Sequence, residues 1–278
     1  MTFRTLQGTP IAILTLAFNR AFSDYLVPVQ MTEAQLQNKI ASESVRLDLS
    51  AGAFVGEELI GFILHGYDAV AGKPVAYNAG TGVAPEHRGQ KITALLYEFI
   101  LPKLTTAQVH HIQLEVIQGN APAIKTYETI GFEVVRQLDC YKGLLTDKPD
   151  AEVDIRGLFS YDWTLLKSFW DWQPSWQNAV SALENAQHSN ISLGAWQGDQ
   201  LLAYLIYNPV SNRIQQFAVA PAHRRKKIGF TLFYHAAQQA GKELVLINVD
   251  HRSSETASFL QNIGLQPFVH QYEMIRLL

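Results

Sequence analysis

The chain opens on an apolar run, Ile11-Ala12-Ile13-Leu14, that gives way to Asn19-Arg20. The run is too brief to cross a membrane, and no small-residue cleavage site follows it. It therefore reads as the buried face of a first helix rather than a signal segment. Thr9 suits the N-cap of that helix and Pro10 its first position. Periodicity predicts helices over 10–23 and 32–41. Residues 53–65 then place two apolar runs on either side of a polar, Gly-containing turn, the mark of a β-hairpin. Beyond it the pattern predicts a strand over 75–83, a helix over 93–101 that stops before Pro102, and a strand over 112–116. A helix over 121–130 and a closing strand over 133–138 complete the series. That order describes a mixed α/β (α+β) domain, a mostly antiparallel sheet with helices on its faces.

The pattern then repeats. The segment from Gly52 to Leu64 lines up with that from Gly194 to Ile206, with Gly, Ala, Gly and Leu recurring at the same places. Val83-Ala84-Pro85-Glu86-His87-Arg88 lines up with Val219-Ala220-Pro221-Ala222-His223-Arg224, and Ile130-Gly131-Phe132 with Ile263-Gly264-Leu265. Three matches in preserved order mark two copies of one domain. The turn-rich stretch over 145–150 is the expected boundary, giving domains over 1–145 and 151–278.

Composition narrows the function classes. A chain of 278 residues, 47% hydrophobic and 17% charged, is comfortable for two packed cores. A net charge of −3 with no like-charge block argues against nucleic acid as a partner, although Arg224-Arg225-Lys226-Lys227 is a local basic cluster. The single cysteine, Cys140, cannot form an internal disulfide, which suits a reducing cytoplasm. Neither a membrane nor a metal is expected.

The most informative junction is Val83, then Pro85 to Thr93, then a helix. A turn that leads from a strand into a helix N-terminus presents unpaired amides and the positive end of the helix dipole, which together favour a pyrophosphate. Arg88, Lys91 and the Thr93 hydroxyl add to such a site; the other reading is a polar loop with solvated charges. Downstream, Leu114-Glu115-Val116 is followed by Asn120-Ala121-Pro122-Ala123-Ile124-Lys125-Thr126-Tyr127-Glu128-Thr129-Ile130-Gly131-Phe132. With both segments in place, the chain resembles the GCN5-related N-acetyltransferase (GNAT) superfamily in its tandem-domain form. That family's patterns are V-x-P-x-x-R-x-x-G-x-A/G for the phosphate turn and N-x-x-A-x-x-x-Y-x-x-x-G-F for the later helix. The first half matches the second pattern at every fixed position and the first at Val83, Pro85 and Arg88. Lys91 and Thr93 depart from it, standing where small residues are usual.

The resemblance implies direct transfer of an acetyl group from acetyl-CoA, as co-substrate, to a primary amine on a small molecule or a protein. Backbone amides near Thr81 to Val83, in a bulged strand, would polarise the thioester carbonyl. The turn residues Arg88, Gly89, Gln90, Lys91, Ile92 and Thr93 would hold the cofactor. Tyr127 would protonate the departing thiolate, or pack its ring under the sheet. Asn120 is either a helix cap or a cofactor contact, and Glu115 either a general base or a cross-strand partner. Asp24 would attract a cationic amine, with Phe22 and Tyr25 walling the acceptor site; the other reading is a helix end followed by a packed loop.

In the second half Ser253 falls at the Asn position, Thr256 at the Ala position and Leu260 at the Tyr position. Leu cannot donate a proton. That half is expected to be a degenerate partner shaping the acceptor site or a homodimer surface, or else to bind CoA without catalysis. The rival function is a non-catalytic acyl-CoA-binding or scaffold protein.

Overall fold

The computed structural model describes residues 1–24, 29–145, 147, 149, 153–241 and 243–278. Its elements, in chain order, begin with β1 (Thr2–Thr5), α1 (Ile11–Ala21), α2 (Glu33–Ser42), β2 (Ala51–Val55), β3 (Glu58–Val70) and β4 (Lys73–Val83). Then come α3 (Ile92–Thr106), β5 (His111–Ile117), α4 (Ala121–Ile130) and β6 (Glu133–Gly143). The second copy runs through β7 (Asp154–Gly157), α5 (Trp163–Lys167), α6 (Val180–Asn185), β8 (Ile191–Gln197), β9 (Gln200–Asn208) and β10 (Arg213–Val219). It closes with α7 (Ile228–Ala240), β11 (Leu244–Asp250), α8 (Ser254–Asn262) and β12 (Gln266–Leu277).

Two compact units result. Unit 1 is Met1–Val135 with Tyr272–Leu278, and unit 2 is Arg136–Gln271. The expected boundary over 145–150 lies inside unit 2, and its residues 146, 148 and 150 are outside the described set. The reason is in the closing strands. Met274 is fully buried in the core of unit 1, with Tyr272 packed against it, while Tyr141 of β6 is buried in the core of unit 2. Each copy therefore draws its last strand from the other copy's stretch of chain.

In unit 1 the strands run β1-β2-β3-β4-β5 and then the distal part of β12, antiparallel from β1 to β4. The β4–β5 pair is parallel and extends only over Val75–Tyr77 and His111–Gln113, after which the two strands separate. In unit 2 the same plan recurs, and β10 and β11 pair in parallel only at Arg213–Ile214 and Val245–Leu246. Both copies carry a bulge at the same place. Ala79 of β4 is skipped between the partners of Leu64 and His65, and Gln215 of β10 between those of Ile206 and Tyr207. A two-residue turn joins each hairpin, with Gly56 and Gly198 both at φ 59°.

Local chemistry corrects two expectations and adds one strand. Pro10, not Thr9, is the N-cap of α1, with its carbonyl accepting from Leu14, and no side chain caps that helix. Pro102 does not end α3 but lies inside it. It is exposed, so water reaches the carbonyl that its missing N–H leaves unpaired one turn earlier. Strand β1 had no signal. It is four residues long and joins the edge of β2 by backbone pairing alone. Helix α2, by contrast, begins as its sequence dictates, with a capping box between Thr32 and Gln35.

Candidate active site

Unit 1 brings the phosphate turn to the end of β4. A short 3-10 turn, Pro85–His87, carries the chain away from the strand, Gly89 follows at φ 77°, and Lys91 at φ 57° opens α3. Two left-handed residues in three turn successive amides toward one side and deliver Ile92, Thr93 and Ala94 as the first N–H groups of a 15-residue helix. Gln90 and Lys91 are exposed, Thr93 is half-buried, and Ile92 anchors the helix in the core.

Arg88 does not extend toward the open side of this turn. Its guanidinium donates to both carboxylate oxygens of Asp24 at 2.7 and 2.8 Å, to the Ala21 carbonyl at 2.9 Å and to the Val83 carbonyl at 3.2 Å. The hydrogen bonds from Arg88 hold the Asp24 carboxyl below its ordinary range. Asp24, expected to attract a cationic amine, is thus already paired. Phe22 follows α1 as its C-cap, its ring tilted by 30° against Phe18 at 4.6 Å, while Tyr25 lies outside the described residues. The same clasp exists in unit 2. Arg224 donates to the Val219 carbonyl at 3.1 Å and the Phe169 carbonyl at 3.0 Å, and pairs with Asp171 at 2.7 Å.

Beyond the turn, the other expected residues lie on β4, β5 and α4. Thr81 and Val83 are half-buried on the β4 side. Tyr127 of α4 is buried in the apolar cluster that also holds Ile92, Leu114 and Val116, and meets Phe132 edge-on at 5.6 Å. Asn120 is the N-cap of α4, accepting from the Ala123 amide at 3.3 Å. Glu115 of β5 is half-buried and accepts from the hydroxyl of Tyr77, the last paired residue of β4, at 2.5 Å.

Sequence reading missed the polar network behind β4. Asn78 donates to Tyr97 at 2.9 Å and to Thr81 at 2.7 Å, and accepts from the Gly80 amide at 3.0 Å, fixing the bulge. Tyr97 meets the fully buried His65 edge-on at 5.9 Å. Burial pushes the Tyr97 hydroxyl well above its ordinary range, with Tyr127 a smaller contributor, and drives His65 down to about 4. No motif marks these residues, which lie on different elements; only the alternation of β3 and β4 places them on one face.

The second omission is in unit 2. A cavity of about 790 Å³ opens where β10 and β11 part, between β10, β11, α7, α8 and the segment from Trp170 to Asn178. Its walls include Phe217, Phe259, Ile228, Gly229, Arg225 and Lys227. The second phosphate turn keeps its shape there, with Arg225 at φ 64° and Lys227 at φ 60°. Leu260 is fully buried at the position equivalent to Tyr127.

The model for the Acetyltransferase (GNAT) family matches the chain twice, over residues 14–132 and 158–263. Among solved structures, a tandem GNAT protein from the clavulanic acid biosynthesis pathway is 12% identical, with a TM-score of 0.74 over 99% of this chain and 98% of its own. A putative acetyltransferase from Pyrococcus horikoshii is 11% identical, with a TM-score of 0.72 over 100% of this chain and 89% of its own. A GCN5-related N-acetyltransferase from Sphaerobacter thermophilus is also 11% identical, at 0.71 over 99% and 95%. Identities this low carry the fold alone; the two family matches carry the family. The chain belongs to the GNAT acetyltransferase family and holds that family's domain twice.

Proposed function

We propose that the chain is an acetyl-CoA-dependent N-acetyltransferase acting on a primary amine, with its chemistry in unit 1. The observation that carries this reading is the gap between β4 and β5. The strand end at Thr81–Val83 lies past the bulge and past the last β4–β5 pair, α3 opens after the phosphate turn that follows Val83, and Tyr127 shares an apolar cluster with Leu114 and Val116 of β5. GNAT domains use acyl-CoA, and these parts meet the three needs of thioester aminolysis.

The α3 amides and Lys91 hold the pyrophosphate. Amides of the strand end stabilise negative charge on the carbonyl oxygen as the amine nitrogen attacks the carbonyl carbon. The carbon–sulfur bond then breaks, and Tyr127 gives its phenolic proton to the departing thiolate. Glu115, steadied by Tyr77, takes the proton that the amine nitrogen sheds. Arg88 and Asp24 act one step back, clasping the end of α1 to the strand end rather than touching phosphate. The single cysteine, Cys140, is buried and unpaired, in keeping with a reducing, cytoplasmic setting.

Release of free thiol from acetyl-CoA, measured across an amine library, tests this reading. Turnover with at least one primary amine is expected. Tyr127→Phe should lower kcat by roughly 10²–10⁴-fold, the usual worth of a placed general acid, with acetyl-CoA affinity nearly unchanged. An unaltered rate removes Tyr127 as the acid. Absence of turnover with every amine favours a binding or scaffold protein that keeps the fold.

A further inference from the structure

At the end of β4, unit 1 places polar side chains where unit 2 has apolar ones. Asn78 is buried, and its planar amide makes three bonds at once. It accepts from the Gly80 N–H at 3.0 Å, and donates to the Thr81 hydroxyl at 2.7 Å and the Tyr97 hydroxyl at 2.9 Å. These bonds straddle the skipped residue Ala79, so both sides of the bulge are tied to α3.

Counted from the matched Val83 and Val219, the equivalents of Asn78, Thr81 and Tyr97 are Ile214, Phe217 and Phe233. Ile214 and Phe233 are buried in the apolar cluster of unit 2, and Phe217 meets Phe233 edge-on at 4.9 Å. The bulge forms there all the same, at Gln215. Asn78 therefore holds the bulge of unit 1 but is not what makes it, since packing alone suffices in the other copy. Nor is net stability the reason for the polar set. A buried amide bonded to two hydroxyls adds little over apolar groups of the same shape, and each member is costly if it loses its partner.

What the polar set supplies is direction. Apolar side chains can slide against one another, whereas three bonds from one planar group fix the Gly80 peptide and the Thr81 side chain relative to α3. Tyr97 carries the constraint on to α4. It meets Phe132 edge-on at 5.5 Å, and Phe132 meets Tyr127 edge-on at 5.6 Å. The strand end and the Tyr127 ring are thus joined through Asn78, Tyr97 and Phe132. Unit 2, with Leu260 in place of Tyr127, lacks the polar set as well.

We propose that Asn78 is a positioning residue for the reaction of unit 1, holding the Thr81–Val83 amides where they polarise the thioester carbonyl. It acts through Gly80, Thr81 and Tyr97 rather than on the substrate. The inference rests on the role given to those amides in the proposed function.

Infrared spectroscopy of acetyl-CoA carrying ¹³C at its carbonyl, bound to the full chain, tests it. Polarising amides draw the bound carbonyl stretch below its frequency in free acetyl-CoA. Asn78→Ile/Tyr97→Phe installs the residues of unit 2 and should return the stretch towards the free value. Calorimetry should show acetyl-CoA affinity unchanged within about twofold. With an amine that the unaltered chain accepts, kcat should fall by about 10²-fold, the cost of roughly 1 Å of misplacement. Thr81→Ser, which keeps the hydroxyl that Asn78 holds, should keep the original band, whereas Thr81→Val should shift it as the double substitution does. That pair decides the matter if the double variant fails to fold. An unmoved band and an unchanged kcat in the folded double variant, or in Thr81→Val, overturn the inference and leave the proposed function standing. A lower thermal midpoint with an unmoved band overturns it equally, because Asn78 would then serve the fold alone. A lowered band that responds to Asn78→Ile/Tyr97→Phe, with no thiol release from any amine, would sink transfer in unit 1 while leaving Asn78 as the residue that places the polarising amides.

Discussion

Lys91 and Lys227 both adopt left-handed backbone, at φ 57° and 60°, immediately before α3 and α7. That conformation explains why the family prefers glycine there, since a side chain in it is strained by about 1–2 kcal/mol. Replacing Lys91 by Gly removes the strain but loosens the unfolded chain by about 0.4–1 kcal/mol. A net gain of up to about 1.6 kcal/mol is expected in urea unfolding, at the expense of any ion pair the ammonium makes to phosphate. His65 gives a pH signature. Its folded-state value is about 4 against 6.5 for the free side chain, because burial disfavours the charged ring. Between pH 6.5 and 4 the unfolded chain takes up a proton that the folded chain refuses, so stability falls as pH falls. The loss approaches roughly 3 kcal/mol at pH 4. His65→Gln, which keeps a donor for the Leu49 carbonyl bonded to Nδ1 at 2.9 Å, should flatten that slope in denaturant melts at pH 4 and 6.5.

At the scale of elements, α3 runs through Pro102 for another turn, and Pro102→Ala would restore the amide its interior lacks. An increase of about 2 kcal/mol in unfolding free energy is expected, less than the full interior penalty because the site is exposed. Most elements were legible because their signals are local. The Gly56 turn and the Asn120 cap each act within a few residues. The same locality let the motif residues be named, while hiding what they bond to. Arg88 and Asp24 are 64 positions apart, so nothing in the spacing shows that one neutralises the other. The cavity of unit 2 was illegible for a related reason: it exists where two strands stop pairing, and the absence of a ladder leaves no mark on either strand's alternation.

At the scale of the molecule, the duplication could be read from the sequence but the exchange of closing strands could not. Both arrangements satisfy the same alternation, and only the placement of Met274 and Tyr141 in opposite cores separates them. A fragment spanning 1–145 should therefore lack a strand of its own sheet and fail to give a cooperative thermal transition, whereas adding residues 266–278 as a peptide should restore one. In the intact chain, Met274→Ala should cost about 2–5 kcal/mol, the range for emptying a fully buried Met site, read as a fall in the denaturant midpoint.

The exchanged strand also bears on how the protein is made. As the chain leaves the ribosome, unit 1 is one strand short until residues 272–278 have been synthesised. At about 5–20 residues per second, that wait lasts on the order of ten seconds after its own first stretch has emerged. Throughout it the edge of β5 is an open template for any passing strand. Chaperone demand should accordingly fall on the nascent chain's first half, even though its motifs are the more intact.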